Sequence, residues 1–408
     1  MEVRKGYKKT KVGIIPEDWE VHKVKNFGCI ITGSTPSTKI REYWNGEVPW
    51  ITPTDITDRK DIYKSERGIN SEGLNAIRKL NCNSVLITCI ASIGKNAILR
   101  KIGACNQQIN AIMPNEDHDA DFLYYLFENN KQYLLGHAGI TATNIISKKE
   151  FSEIIFFVPQ HSEQTAIATA LSDTDALIQS LEKLITKKQN IKQGVMQELL
   201  TGKKRLPGFS GEWETKKLGE TINFVIDNRG KTPPLSKKGY PLIEVNAIYN
   251  QGKSPNISLV KKFVNEGTYN SWFRDGHPQK GDVLVVTVGS AGTTSYVSEN
   301  IGCIAQNLIA IRLKEDCCSE FFYYLTQTGT FKEMVRAVLM GAVQPSLKVP
   351  HINNFSFLFP EKDEQISVAK VLNDMDTEIS HLEKKLNKYK MIKQGMMQEL
   401  LTGKTRLI

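Results

Sequence analysis

The sequence is two copies of one plan. Residues 191–206 read IKQGVMQELLTGKKRL, and residues 392–407 read IKQGMMQELLTGKTRL. They differ only at Val195/Met396 and Lys204/Thr405, at an offset of 201 residues, which is not a chance match. The same offset aligns FVPQHSEQTAIATALSDTDALIQSLEKLI with LFPEKDEQISVAKVLNDMDTEISHLEKKL without a gap. Weaker echoes lie upstream: VLITCIASIG with VLVVTVGSAG, GACNQQINAI with GCIAQNLIAI, FLYYL with FFYYL, and IPEDWEVHKV with FSGEWETKKL. An internal repeat of this length decides the architecture, because what one half folds into the other must also.

Each half reads as a globular region of about 150 residues followed by one helix. The boundaries expected are 1–158 for the first domain, 159–206 for the first helix, 207–359 for the second domain and 360–408 for the second helix. The helical segments are nearly unchanged between copies and the globular regions have diverged. Two related modules with different surfaces imply two related but different ligands.

The repeated segments carry heptad spacing. In the second copy, positions 368, 372, 375, 379, 382, 386, 389, 393, 396 and 400 form one row, broken only by Lys393. In the first, Ile167, Leu171, Ile178, Leu181, Ile185, Val195 and Leu199 form the row, interrupted by Thr174, Lys188 and Lys192. Pro159 and Pro360 bar earlier helix and Gly202 and Gly403 suit helix stops. About 37 helical residues make a rod of roughly 55 Å. Such an amphipathic rod needs a partner; the domain of about 150 residues between the copies allows either orientation, and a two-fold axis relating the copies makes an antiparallel coiled coil the expectation.

The domains read as α/β (α+β): VLITCI and VLVVTV as buried strands, IIFFVP and FSFLFP as final strands, and DADFLYYLFENNKQYLLG and SEFFYYLTQTGTFKEMVRAV each as one amphipathic helix. GSTPST (33–38) and NRGKTPP (228–234) read as exposed loops.

Composition narrows the class. The 408 residues are 40% apolar and 24% charged, with a net charge of +9 and a pI near 9.0, a positive field that suits a polyanion. No run of 18 apolar residues occurs, so no membrane span is expected. The basic stretch 1–11 is followed by no apolar segment, so the cytoplasm is the expected compartment. Seven cysteines with no CxxC pair predict neither a disulfide framework nor a zinc site.

Domain, long helix ending in IKQGxMQELLTGKxRL, domain, and the same helix again is a distinctive plan. PxxxEQ precedes each helix, GSTPS or GKTPP follows the first strand, and a DW or EW pair opens each domain. Over its whole length the chain resembles the specificity subunits of type I restriction-modification systems. The resemblance implies two target-recognition domains, each reading one half of a split, asymmetric site in double-stranded DNA. It implies that the helices form a coiled coil setting the distance between half-sites. It also implies recruitment of two methyltransferase subunits, and of restriction subunits in the full complex. The chain itself would hold no cofactor; S-adenosylmethionine, ATP and Mg would belong to those partners.

DNA contacts want Lys, Arg, Ser, Thr, Asn and Gln on loops. The candidates are Ser34, Thr35, Ser37 and Lys39, with Asn228, Arg229, Lys231 and Thr232 at the counterpart loop. Ser92 and Lys95 pair with Ser290 and Thr293, and Thr141, Thr143 and Asn144 correspond roughly to Gln344 and Ser346. The plainer role for any of these is a turn residue closing its loop. Trp44, Trp50, Trp272 and Phe273 read as core rather than base-stacking platforms. At the helix ends, Gln197, Glu198 and Leu200 match Gln398, Glu399 and Leu401. That identity reflects either recent duplication or one surface shown to two identical partners.

Catalysis finds no foothold. Pro233-Pro234 lacks the acidic or amide residue before it and the aromatic after it that an adenine methyltransferase motif, by its own family pattern, requires. TGKT (402–405) has Gln398 where a phosphate loop needs its first glycine. Ser92 to Lys95 matches SxxK, but its repeat counterpart ends in Thr293. The seven histidines form no metal-ligand spacing. The expectation is a non-catalytic DNA-binding scaffold. Its rivals are a stand-alone methyltransferase with an unusual site, which would transfer methyl groups alone, and a coiled-coil scaffold for other ligands, which would show no salt-dependent DNA affinity.

Overall fold

The computed structural model describes residues 5–10, 13–139, 144–230, 232–340 and 345–407. The chain forms two compact units, Met1–Lys183 with Lys384–Ile408, and Leu184–Glu383. Each is a mixed α/β domain combined with the first part of the long helix that follows it and the last part of the other long helix.

In the first unit the strands β1 (Gly28–Thr32), β2 (Asp61–Ile62), β3 (Ser84–Thr88), β4 (Asn96–Leu99) and β5 (Ile109–Pro114) form a sheet in the order β1-β5-β3-β4-β2. β5 lies antiparallel between β1 and β3, and β3 is antiparallel to β4. Alternate side chains enter different cores, as the strand period of two requires. Val85, Ile87, Ile98 and Ile112 pack under the aromatic helix α1 (Ala120–Asn129), whereas Leu86, Ala97, Leu99 and Ala111 fill a core on the other face. Burial on both faces is why these strands read as unbroken apolar runs.

The second unit repeats this with β6 (Ile222–Ile226), β7 (Val283–Val286), β8 (Thr294–Tyr296) and β9 (Leu308–Leu313), ordered β6-β9-β7-β8. Val283, Val285, Ile309 and Ile311 face one core, and Leu284, Val286, Leu308 and Ala310 the other. In both units the last strand, Ile155–Val158 or Ser356–Phe359, pairs antiparallel with the segment just after the DW or EW pair.

The amphipathic segments expected as single helices are each broken in two. α1 gives way to α2 (Lys131–Gly136) at Asn130. In the second unit α4 (Ser319–Gln327) gives way to α5 (Gly329–Leu339) at Thr328. Thr328 is extended, with φ −71° and ψ 157°, and its hydroxyl caps α5 by accepting the Phe331 N–H. A hydroxyl residue can end one helix by starting the next.

The long helices are α3 (His161–Leu199) and α6 (Lys362–Leu400), 39 residues each. They run antiparallel in each unit. In the first, Lys393 meets Asp175 at 2.6 Å and Lys390 meets Glu182 at 2.7 Å. In the second, Lys188 meets Glu378 at 2.7 Å and Lys192 pairs with Asp376. The polar interruptions of the apolar row therefore have partners: Lys393, Lys188 and Lys192 pair with carboxylates, and the Thr174 hydroxyl lies 3.5 Å from Met396 Sδ. Tyrosines of the domains complete two triads. Tyr125 donates to Asp175 at 2.7 Å, with Lys393 Nζ 5.5 Å from its ring centre. Tyr324 donates to Asp376 at 2.8 Å, with Lys192 at 5.4 Å.

The repeated motifs meet at the helix ends. In the first unit the Arg406 guanidinium grips Glu163 at 2.7 and 2.8 Å and also reaches Asp18, and the Trp19 indole donates to Glu163 at 3.1 Å. In the second, Arg205 grips Glu364 through two bonds of 2.6 Å, and Trp213 donates at 3.1 Å. Gln164 and Gln365 donate to the carbonyls of Pro159 and Pro360 and accept the Asp119 and Cys318 N–H groups. Gly403 and Gly202 adopt φ of +70° and +71° against Trp19 and Trp213. PxxxEQ, the DW or EW pair and TGKxRL are thus the parts of one knot that ties each domain to the helices. The forked Arg–carboxylate pair is the strong form of such a contact.

Candidate nucleic-acid interface

The antiparallel order puts particular loops together. In the first unit the C-terminal ends of β1 and β3 and the N-terminal ends of β5 and β4 lie at one end of the sheet, as the pairs Thr32↔Asn110, Thr88↔Ile109 and Ile87↔Asn96 require. The loops 33–39, 89–95 and 106–108 all leave from that end. The pairs Ile226↔Ala310, Val286↔Leu308 and Val285↔Thr294 do the same in the second unit. Its loops 227–235, 287–293 and 305–307 share one end.

The first-unit candidates fall on these loops. Ser34 is pinned: its N–H donates to the Cys105 carbonyl, its hydroxyl accepts the Arg78 N–H at 3.0 Å, and its carbonyl accepts the Trp50 indole at 2.9 Å. Thr35 donates to Gln107 at 2.7 Å, and the Ser37 carbonyl accepts the Trp44 indole at 3.3 Å. Lys39 and Lys95 are exposed and make no ion pair among the described residues. Ser92 accepts the Thr88 hydroxyl at its carbonyl, and the Asn144 carbonyl accepts the Ala91 N–H. Thr141 and Thr143 lie outside the described residues.

In the second unit Asn228 is used on both sides of its amide, donating to the Gly276 carbonyl and accepting the Asp275 N–H. Arg229 folds back on Asp227, with Nε 2.6 Å from Oδ1. Burial works against the Asp227 carboxylate, but the hydrogen bonds from Arg229 outweigh it and hold its pKa below the usual range. These two residues close their own loop. Thr232 is exposed, Ser290 and Thr293 are half-buried on the β7–β8 loop, and Ser346 bridges to Val288 beside them. Among the described residues the Ser290 hydroxyl finds no hydrogen-bond partner. Lys231 and Gln344 lie outside the described residues.

Residues not singled out from sequence join these loops: Gln107 in the first unit and Gln306 and Asn307 in the second lie on them, and Arg78 and Arg274 lie beside them, all exposed. The legible signal was the polar pair Gln107-Gln108, and Gln306-Asn307 in the other copy, between two apolar strands in the already aligned stretches. Of the aromatics, Trp50 and Phe273 are core, Trp44 is half-buried beneath the Arg67 guanidinium at 4.0 Å, and Trp272 is exposed, contrary to expectation.

At the helix ends Gln197, Glu198, Gln398 and Glu399 are exposed. Leu200 and Leu401 are not: each is buried in the core of its unit, so neither offers a surface to a partner. The TGKT segment is a helix stop, its Thr402 hydroxyl donating to the Gln398 carbonyl.

Comparison with known proteins places the chain. The family model described as "Type I restriction modification DNA specificity domain" matches residues 16–193 and 210–390. The MjaIX specificity subunit of a type I restriction enzyme from Methanocaldococcus jannaschii is 26% identical over 427 residues, covering 98% of this chain and 96% of that protein. The MjaVIII specificity subunit of the same organism is 25% identical, covering 96% and 94%. Among solved structures, the S subunit of a type I system from M. genitalium superposes with a TM-score of 0.58 at 16% identity, covering 98% of each chain.

Proposed function

We propose that this chain, which belongs to the family of type I restriction-modification DNA specificity subunits, reads a split, asymmetric site in double-stranded DNA with one domain per half-site. As a member of that family it is the sequence-specific DNA-binding subunit of the complex and is itself non-catalytic.

The observation that carries the half-site reading is the gathering of amide, hydroxyl and cationic side chains on loops at one end of each domain's sheet. Base edges are read by such groups, and phosphates by cations and backbone N–H groups. The loops differ in sequence between the two domains, so the half-sites they read differ. The first domain, 1–158, and the second, 207–359, are the readers; the helical segments 159–206 and 360–408 are the scaffold between them. Two methyltransferase subunits bind this scaffold, and restriction subunits join the full complex. S-adenosylmethionine, ATP and Mg act on those partners. No helix among the described residues is long and apolar enough to cross a membrane, and the complex works in the cytoplasm, where the DNA is.

The test is binding of the assembled chain and methyltransferase to duplexes carrying the whole site, or the site with one half scrambled. Scrambling either half should weaken binding by at least a hundredfold, given about 1–3 kcal/mol per mismatched pair. Equal affinity for all three duplexes refutes the reading.

A further inference from the structure

Beside the second unit's candidate interface lies a cavity of about 760 Å³. Its floor includes the β7–β8 loop at Gly292 and Thr293, and one wall is α5. The two are packed closely: a Cβ on Gly292 would fall 2.9 Å from Val335 Cγ1. The lining carries Lys192, Lys253, Lys332 and Arg336 against one carboxylate, Asp376. Lys192 is neutralised by Asp376, and Lys253 by Glu320 at 2.5 Å. Lys332 and Arg336 have no ion pair among the described residues. They stand one helical turn apart on α5, both exposed, while Phe331 and Val335 point into the core.

The first unit has a cavity of about 900 Å³ between its own α1 and helix pair, with the opposite charge. Asp58, Asp61, Glu128, Asp175 and Glu182 outnumber its three lysines. The two cavities share matched residues, Asp175 with Asp376 and Lys393 with Lys192, but the first is lined by more of the long helices and by no residue of α2 or of the loop 89–95.

We infer that the second unit's cavity takes the sugar-phosphate backbone of the duplex, with Lys332 and Arg336 each neutralising one phosphate beside the half-site read by that domain. This rests on the DNA-binding reading above. An unpaired cation pair next to the reading loops fits a polyanion, and phosphate contacts fix register without carrying sequence. The first unit's acidic cavity, lined mainly by the long helices, would repel a phosphate.

The test is the salt dependence of binding by the chain assembled with its methyltransferase, wild type against Lys332→Ala/Arg336→Ala. Each phosphate contact contributes about 0.9 to the slope of log K against log salt, so the slope should become shallower by roughly 1.8. Between about 50 and about 200 mM salt, the wild type should then lose roughly twelvefold more affinity than the variant. The methylated sequence should not change, and Lys332→Arg/Arg336→Lys should restore the slope. An unchanged slope in the double alanine variant of a wild type that does bind with steep salt dependence overturns the inference alone. Loss of methyltransferase assembly in the variant also overturns it, because the cavity then holds a protein partner. A wild type without salt-dependent affinity overturns the DNA-binding reading itself.

Discussion

Asp175→Ala should be among the most damaging single changes in the first unit outside its sheet core. The carboxylate accepts the Tyr125 hydroxyl at 2.7 Å and the Lys393 ammonium at 2.6 Å. Tyr125 is fully buried, and the lysine and aspartate side chains are 22% and 18% exposed. Burial, reinforced by Asp175, raises the Tyr125 pKa, so the hydroxyl stays a donor at any working pH. A hydrogen bond to a charged group contributes about 1.5–3 kcal/mol. Removing the acceptor also leaves Lys393 unpaired on a largely buried seam, and the total comes to roughly 3 kcal/mol. Asp175→Asn keeps an acceptor for Tyr125 and loses only the charge, at about 1–2 kcal/mol; Tyr125→Phe costs about 1.5 kcal/mol. For a unit of this size each kcal/mol lowers Tm by about 2–4 °C, so Asp175→Ala should lower it by roughly 6–12 °C. Calorimetry on the purified chain gives the values. A double-mutant cycle of Tyr125→Phe with Lys393→Met should be non-additive, since both act on one carboxylate. If Asp175→Ala and Asp175→Asn both fall within about 0.5 kcal/mol of wild type, water replaces these contacts and the argument fails.

Gly403→Ala should destabilise the first unit by about 2–3 kcal/mol, because φ is +70° and the new Cβ would lie 2.6 Å from Pro16 Cγ; Gly202→Ala, at +71° but 3.3 Å from the Trp213 ring, should cost the second unit less, about 1–2 kcal/mol. Burial, and then the neighbouring His22, push the His118 pKa down to about 4. The folded value lies below that of the unfolded chain, so this contribution is full above about pH 6.5 and is lost as pH falls toward 4. For this buried ring it amounts to at most about 3 kcal/mol, and the pH dependence of unfolding should flatten by that amount in His118→Gln. Arg406→Lys keeps a charge but not the fork that spans Glu163 and Asp18, so it should unfold at lower denaturant than wild type, and closer to Arg406→Ala than to wild type.

Much of the fold was legible because the sequence says the same thing twice. Heptad spacing placed the long helices, and a two-fold relation between the copies favoured antiparallel pairing over the parallel alternative. What the repeat left dark was the reason for its own polar exceptions. Lys393 and Lys192 look like faults in an apolar seam until Asp175 and Asp376 on the facing helix are seen. Likewise PxxxEQ, the DW or EW pair and TGKxRL were recognisable as signatures, but only their meeting explains them. Glu163 lies 243 residues from Arg406, and no local pattern joins residues that far apart. The breaks at Asn130 and Thr328 were missed because apolar periodicity continued across them. The interface loops could be located, since loops follow strands, but not the use of each side chain in them. Asn228 and Arg229 looked free for DNA and instead close their own loop on Asp275, Gly276 and Asp227. Leu200 and Leu401 repeat because both cores need them.

The central claim is that this chain chooses the sequence its complex modifies. Genome-wide mapping of methylated adenines, in source cells with and without this gene, tests it most directly. The account predicts that one split motif with a fixed gap loses its methylation when the gene is deleted and regains it when the gene is restored. Survival of every methylated motif, in cells where the partner methyltransferase is present and active, would contradict it.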